Sequence, residues 1–201
     1  MKLPYDVIVL DLEINYPNDP TKEEIIELGA VRFNRDGTID PVPFTALITV
    51  SKPLQQEIIE LTGITQEEMD SKGRCLIEVM YDFELWATKK TKNIVLGAWG
   101  ADIPYLQKYL DVNLVQYNFR RKFFEAKSAM TFINALTGKK PSNGLGGMLL
   151  AWGLEFDPLY GKQHRALADA YNTAKLLAKV GQDFNIAGLV ILDKLEVLGI
   201  K

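Results

Sequence analysis

The chain has 201 residues, is 47% hydrophobic, and carries 23 basic against 26 acidic side chains for a formal net charge of −3. That is material for one domain with a sizeable core, and it excludes a protein that holds nucleic acid by bulk positive charge, leaving room for a local basic groove or a metal. Cys75 is the only cysteine, which excludes an internal disulfide or a cysteine zinc cluster and points to a reducing compartment, the cytoplasm.

Residues 5–13, YDVIVLDLE, read as a strand, and the apolar run Val7 to Leu10 suits a central position buried on both faces. Pro4, Asp6 and Asp11 interrupt this end too early for a signal peptide. PNDPTKEE is a turn-rich loop, IIELGAVRF returns as a second strand, and Asp36-Gly37 lies in a hairpin-like connection. FTALITV gives a third strand. Helical patterns follow around LQQEIIELTG and CLIEVMYDFELWATKK, then a strand, NIVLGAW, and a short helix, DIPYLQKYL. Residues 114–138 read as an extended piece running into a helix, and LGGMLLAWGL and ALADAYNTAKLLAKV as helices. The apolar IAGLVILDKLEVLGI is broken by Asp193, Lys194 and Glu196, so it reads as an amphipathic packing helix and not a membrane span. A strand meander followed by strand and helix in alternation predicts an α/β fold with a mixed sheet.

Carboxylates stand where a core should be. Asp11 and Glu13, two apart on the first strand, project from one face, at the C-terminal end where open α/β sheets place ligands. Like charges partly removed from water are costly, and a divalent cation with a taste for hard oxygens, magnesium or manganese, removes the cost. The plainer alternative is that both begin a solvated loop. Asp102 lies at another strand-to-helix junction, where it either faces the same sheet edge or caps the helix whose first turn holds Pro104. His164 is the only histidine. Asp169 follows five residues later, about 140° around a helix, so the two cannot share a helical face. They meet only if His164 sits in the YGKQH loop, with Gly161 bending it, and Asp169 in the first turns after it. Otherwise Asp169 pairs with Arg165 at i, i+4 on a solvated face.

Together, D-x-E on a first strand, an Asp after a later strand and H-x4-D opening a late helix resemble the DEDDh exonucleases of the DnaQ-like superfamily, which includes ribonuclease T. The residues are Asp11 and Glu13 in VLDLE, Asp102 in AWGADIPYL, and His164 and Asp169 in HRALAD. EEIIELGAVRF, LTGIT and AWGADIPYL are similar to Eri-type RNA exonucleases and bacterial KapD-like proteins. The likeness runs from about Tyr5 to Val180 and departs at INYPN after Glu13, where many relatives carry small or hydroxyl residues.

The resemblance implies a ribonuclease H-like fold, a central mixed sheet flanked by helices, with residues 1–181 as the exonuclease domain and 182–201 as a helical tail packed on it. It implies a 3′–5′ exonuclease releasing 5′-mononucleotides from single-stranded nucleic acid, RNA slightly favoured. Two divalent cations, Mg²⁺ or Mn²⁺, about 3.5–4 Å apart would be held by Asp11, Glu13, Asp102 and Asp169. His164, whose imidazole has an ordinary pKa of roughly 6.5, would act as general base without being a ligand. By the same analogy Leu12, Leu61, Thr62, Gly63, Ile64 and Trp99 flank the terminal nucleotides, each with plain core packing as the alternative. Arg120, Arg121 and Lys122, beside Phe119, Phe123 and Phe124, and Lys162 and Arg165 beside the histidine, are basic candidates for the backbone. The competing function is a non-catalytic nucleic-acid- or protein-binding regulator on the same fold, which loss of a carboxylate or of His164 would favour; none is lost.

Overall fold

The computed structural model describes residues 5–16, 23–115, 122–140 and 142–197, the last fourteen of these by backbone alone. Five strands, β1 (Asp6–Asn15), β2 (Glu24–Phe33), β3 (Phe44–Leu47), β4 (Ile94–Ala98) and β5 (Phe123–Glu125), form one sheet in the order β3-β2-β1-β4-β5. β1 is central, antiparallel to β2 and parallel to β4. Among the described residues, helices α1 (Gln56–Thr62), α2 (Gln66–Lys72), α3 (Leu76–Thr88), α4 (Asp102–Val112), α5 (Ala126–Thr137), α6 (Leu145–Ala151) and α7 (Ala166–Val197) surround it.

Alternation along β1 assigns the two faces. Ile8, Leu10 and Leu12 pack on α3 and α4 through Val79, Met80, Phe83, Ile103, Leu106 and Leu110. Val9, with Val31 and Phe33 of β2, packs on Leu167 and Ala174 of α7. Each fully buried aliphatic or aromatic side chain contributes about 1.5–3 kcal/mol, so the central strand is fixed from both sides. A buried ion pair closes one end: Arg32 meets Asp6 at 3.1 Å and donates to the Trp86 and Ala87 carbonyls at 3.1 and 2.7 Å, satisfying the last turn of α3.

Four local expectations change. The third strand stops at Leu47, and Ile48 makes only a bridge to Arg74. Helix α2 has no counterpart among the expected elements, because it buries only Met69 and shows no apolar period. Its signal is a cap: Thr65 Oγ1 accepts the Glu68 N–H at 3.0 Å, half of the Thr-x-x-Glu capping box. Asp102 is the first residue of α4 and Ala101 occupies the cap position, so aspartate is not the N-cap. The two late helical stretches are one helix, α7, which runs past residue 181 without a break. No helix among the described residues is long and apolar enough to cross a membrane.

Candidate active site

Asp11 and Glu13 leave β1 on the α7 side, since Leu10 and Leu12 take the other face. The register shifts between Glu13 and Ile14, so regular pairing changes just beyond the carboxylates. Gly29, the ladder partner of Asp11, brings α7 in: a Cβ there would lie 2.1 Å from the Leu167 nitrogen and 2.3 Å from the Ala166 carbonyl carbon. Only a residue without a side chain admits this approach, and it delivers Asp169 to the acidic pair. One carboxylate oxygen from each of Asp11, Glu13 and Asp169 lies within 4.8 Å of the others. Asp102 stands outside that circle, with Oδ2 accepting the Gly100 N–H at 3.3 Å, yet it is the strongest neighbouring charge acting on Asp11.

The electrostatics follow. Burial, then Asp102 and Glu13, pushes Asp11 well above the usual carboxylate range. Burial, then Asp169, Glu27 and Asp102, pushes Glu13 up to about 8, with Arg165 opposing. Asp169 is raised by burial to about 6, opposed by the His164 N–H and then by the charge of its ring. Asp102 is also raised by burial, against the backbone N–H groups of Asp102, Gly100 and Leu12. At neutral pH Glu13, at about 8, therefore favours its protonated form in the metal-free cluster.

His164 and Asp169 do meet. His164 has φ 65°, a left-handed conformation uncommon outside glycine, and its N–H donates to Asp169 Oδ2 at 3.3 Å. Gly161, at φ 125°, makes the bend before it. The other oxygen, Asp169 Oδ1, is buried without a hydrogen-bond partner among the described residues. The i, i+4 alternative is not formed: Arg165 binds Glu27 of β2, with Nη2 2.7 Å from Oε1. Lys162 donates to the Glu60 carbonyl at 3.0 Å. Both bases beside the histidine are thus engaged within the protein. Arg120, Arg121 and Phe119 lie outside the described residues; Lys122 and Phe123 are exposed and Phe124 half-buried against Gly97.

The expected nucleotide contacts divide. Leu12 is in the main core. Ile64 is fully buried among Ile26, Leu54 and Met69, and Thr62 turns inward to bond the Ile58 carbonyl at 2.7 Å and the Ile64 N–H at 3.0 Å. Those three side chains are interior. Leu61 is exposed, Gly63 closes α1 at φ 76°, and Trp99 is half-buried beside the α6 and α7 cluster.

Glu27 was not among the expected residues. Its signal was an acid inside IIELGAV, a strand whose other residues from Ile25 onward are, like it, buried. Asn15 is another: fully buried, it donates to the Pro53 carbonyl at 3.2 Å and accepts the Gln55 N–H at 2.9 Å, tying the end of β1 to the start of α1.

A mixed sheet with acidic residues from β1, α4 and α7 at one edge defines the ribonuclease H-like exonuclease fold. Residues 8–177 match the family described as RNase_T, exonuclease, and the chain belongs to that family. It is 29% identical over 196 residues to the PolC-type DNA polymerase III of Thermotoga petrophila, covering 95% of this chain and 13% of the relative, so the chain spans about an eighth of that protein. In fold it is similar to the nuclease domain of 3′hExo, a DEDDh family member bound to rAMP (TM-score 0.77, 22% identity, 91% of this chain and 95% of the other). It is also similar to E. coli ExoI in a zinc-bound complex with ssDNA (0.71, 17%, 89% and 41%).

Proposed function

We propose that the protein is a metal-dependent 3′–5′ exonuclease that shortens single-stranded nucleic acid and releases 5′-mononucleotides. The observation that carries this reading is the cluster of Asp11, Glu13 and Asp169 within 4.8 Å, with the Asp169 Oδ1 buried and unpartnered among the described residues. A carboxylate oxygen removed from water without a donor is costly, and a hard divalent cation is the partner this donor set fits. Asp11, Glu13, Asp102 and Asp169 would hold two such ions, Mg²⁺ or Mn²⁺. When bound, such ions neutralise phosphate charge and make water a nucleophile near neutral pH.

His164 takes the proton from the attacking water. It leaves the chain one turn ahead of Asp169, and the Asp169 carboxylate that accepts its N–H fixes the loop. Leu61, Gly63 and Trp99 face the terminal bases, while Leu12, Thr62 and Ile64 stay interior and hold the backbone around them. Stacking of this kind tolerates any base. Structures of similar fold hold rAMP in one case and ssDNA in the other; the Eri-like stretches favour RNA here. Residues 1–181 form the exonuclease domain and 182–201 a helical tail, and the lone, exposed Cys75 fits a cytoplasmic location.

The test is a 3′-labelled oligonucleotide, RNA or DNA, with Mg²⁺ or Mn²⁺. Labelled mononucleotide released by the wild type and not by Asp11→Asn is the expected result. Cutting of a circular strand, or no release under any of these conditions, overturns the reading.

A further inference from the structure

We propose that Glu27 and Arg165 act as a positioning pair that sets the turn carrying His164 and the helical turn carrying Asp169. This rests on the reading of His164 as the proton acceptor and adds two residues that touch neither substrate nor ion.

Glu27 is 2% exposed and both its oxygens are occupied. Oε1 accepts from Arg165 Nε at 3.2 Å and from Nη2 at 2.7 Å; Oε2 accepts from Nε at 3.2 Å and from the Ala166 N–H at 2.8 Å. It therefore grips the two residues that follow His164 and satisfies an otherwise orphaned N–H at the start of α7. Asp169 holds His164 from the other side through the His164 N–H. A side chain-bearing residue stays in the left-handed region only when its neighbours are fixed, and here both flanks are.

The fold alone gives no reason for an acid at this position. β2 is buried along its length after Glu24, a buried carboxylate is expensive even when paired, and Glu27 lies across the ladder from another acid, Glu13. An apolar residue would be cheaper. What Glu27 provides is a planar two-oxygen acceptor for a guanidinium, a fork that lysine cannot reproduce, spanning from mid-sheet to the loop ahead of α7.

His164 is the only histidine, so its ring-proton NMR signals are unambiguous. In Glu27→Gln, which keeps an acceptor but loses the charge, and in Arg165→Lys, which keeps the charge but loses the fork, the His164 signal at fixed pH should move toward that of free histidine. In both, kcat should fall about 10–100-fold with KM unchanged, and the double variant should be no slower than the slower single one. An unmoved His164 signal, or a lowered melting temperature with kcat unchanged, overturns the proposal. Should Glu27→Gln fail to fold, Arg165→Lys carries the same test from the other partner. If the wild type cleaves nothing, the proposed function falls, while the NMR comparison still decides the pair.

Discussion

Glu13 and Glu27 are direct partners in the β1–β2 ladder, two buried acids facing each other on the α7 side of the sheet. Like charges opposite one another destabilise a sheet, and the two are relieved differently. Glu27 is neutralised by Arg165 and used as a clamp. Among the described residues no cation pairs with the oxygens of Glu13, and burial beside other acids raises its pKa to about 8.

That raised pKa gives the metal-free protein an inverted pH dependence. The folded pKa of Glu13 lies above its ordinary value of 4.5, at about 8, and that of Asp169 above 3.8, at about 6. Below these ordinary values folded and unfolded chains both carry the protons and no penalty applies. As pH rises toward 8 the unfolded chain ionises first, so stability falls through the window and the full penalty stands above it. Melting temperature in EDTA should decline from about pH 4.5 to 8. With Mn²⁺ or Mg²⁺ the decline should flatten or reverse, because the ionised ligands bind the cation. A melting temperature that rises across this range in EDTA would contradict the clustering.

Glu13→Gln removes one charge from a site that repels itself. The metal-free variant should be more stable than wild type at pH 8, on the order of a few kcal/mol, at roughly 2–4 °C per kcal/mol for a chain of this size. It should also lose most of the stabilisation that Mn²⁺ gives the wild type. Thermal melts with and without the ion check both.

His164→Ala should slow turnover about 10²–10⁴-fold with metal affinity nearly intact, since His164 meets Asp169 through its backbone N–H, which alanine keeps. Calorimetric titration with Mn²⁺ separates the two effects. Collapse of affinity would mean that the ring is a ligand.

Gly29→Ala should be among the most damaging small substitutions. The added carbon would meet α7 backbone at 2.1–2.5 Å, and backbone cannot swing aside as a side chain does. A loss of about 1–3 kcal/mol or more is expected, together with displaced Asp169 and reduced Mn²⁺ affinity. Melting temperature and calorimetry on the same sample read both.

The sheet was legible because its strands are apolar runs: Val7 to Leu10 and Ile25 to Phe33 announce burial on both faces. The acids were legible as charges interrupting those runs at strand ends. Helix α2 was not, since seven residues with one buried side chain carry no period, and only the Thr65–Glu68 cap marks them. The partner of Arg165 was not legible either: Asp169 is four residues away and Glu27 is 138. Local spacing favours the near carboxylate, and only the approach of α7 over Gly29 reveals the distant one. Leu12 and Ile64 were open between core and substrate because an apolar residue at a strand end or helix turn serves either, and the packing turns both inward.

The register shift after Glu13 has a consequence for how this protein can diverge. Upstream, strict two-residue alternation pins Asp11 and Glu13 to one face; downstream, Asn15 anchors the chain anew to Pro53 and Gln55. Changes in the segment that follows need not alter the spacing of the two acids. Ile14 to Asn18, one stretch where the sequence departs from the DEDDh pattern it resembles, begins at that discontinuity. That stretch is free to vary while the acidic pair keeps its place on the sheet.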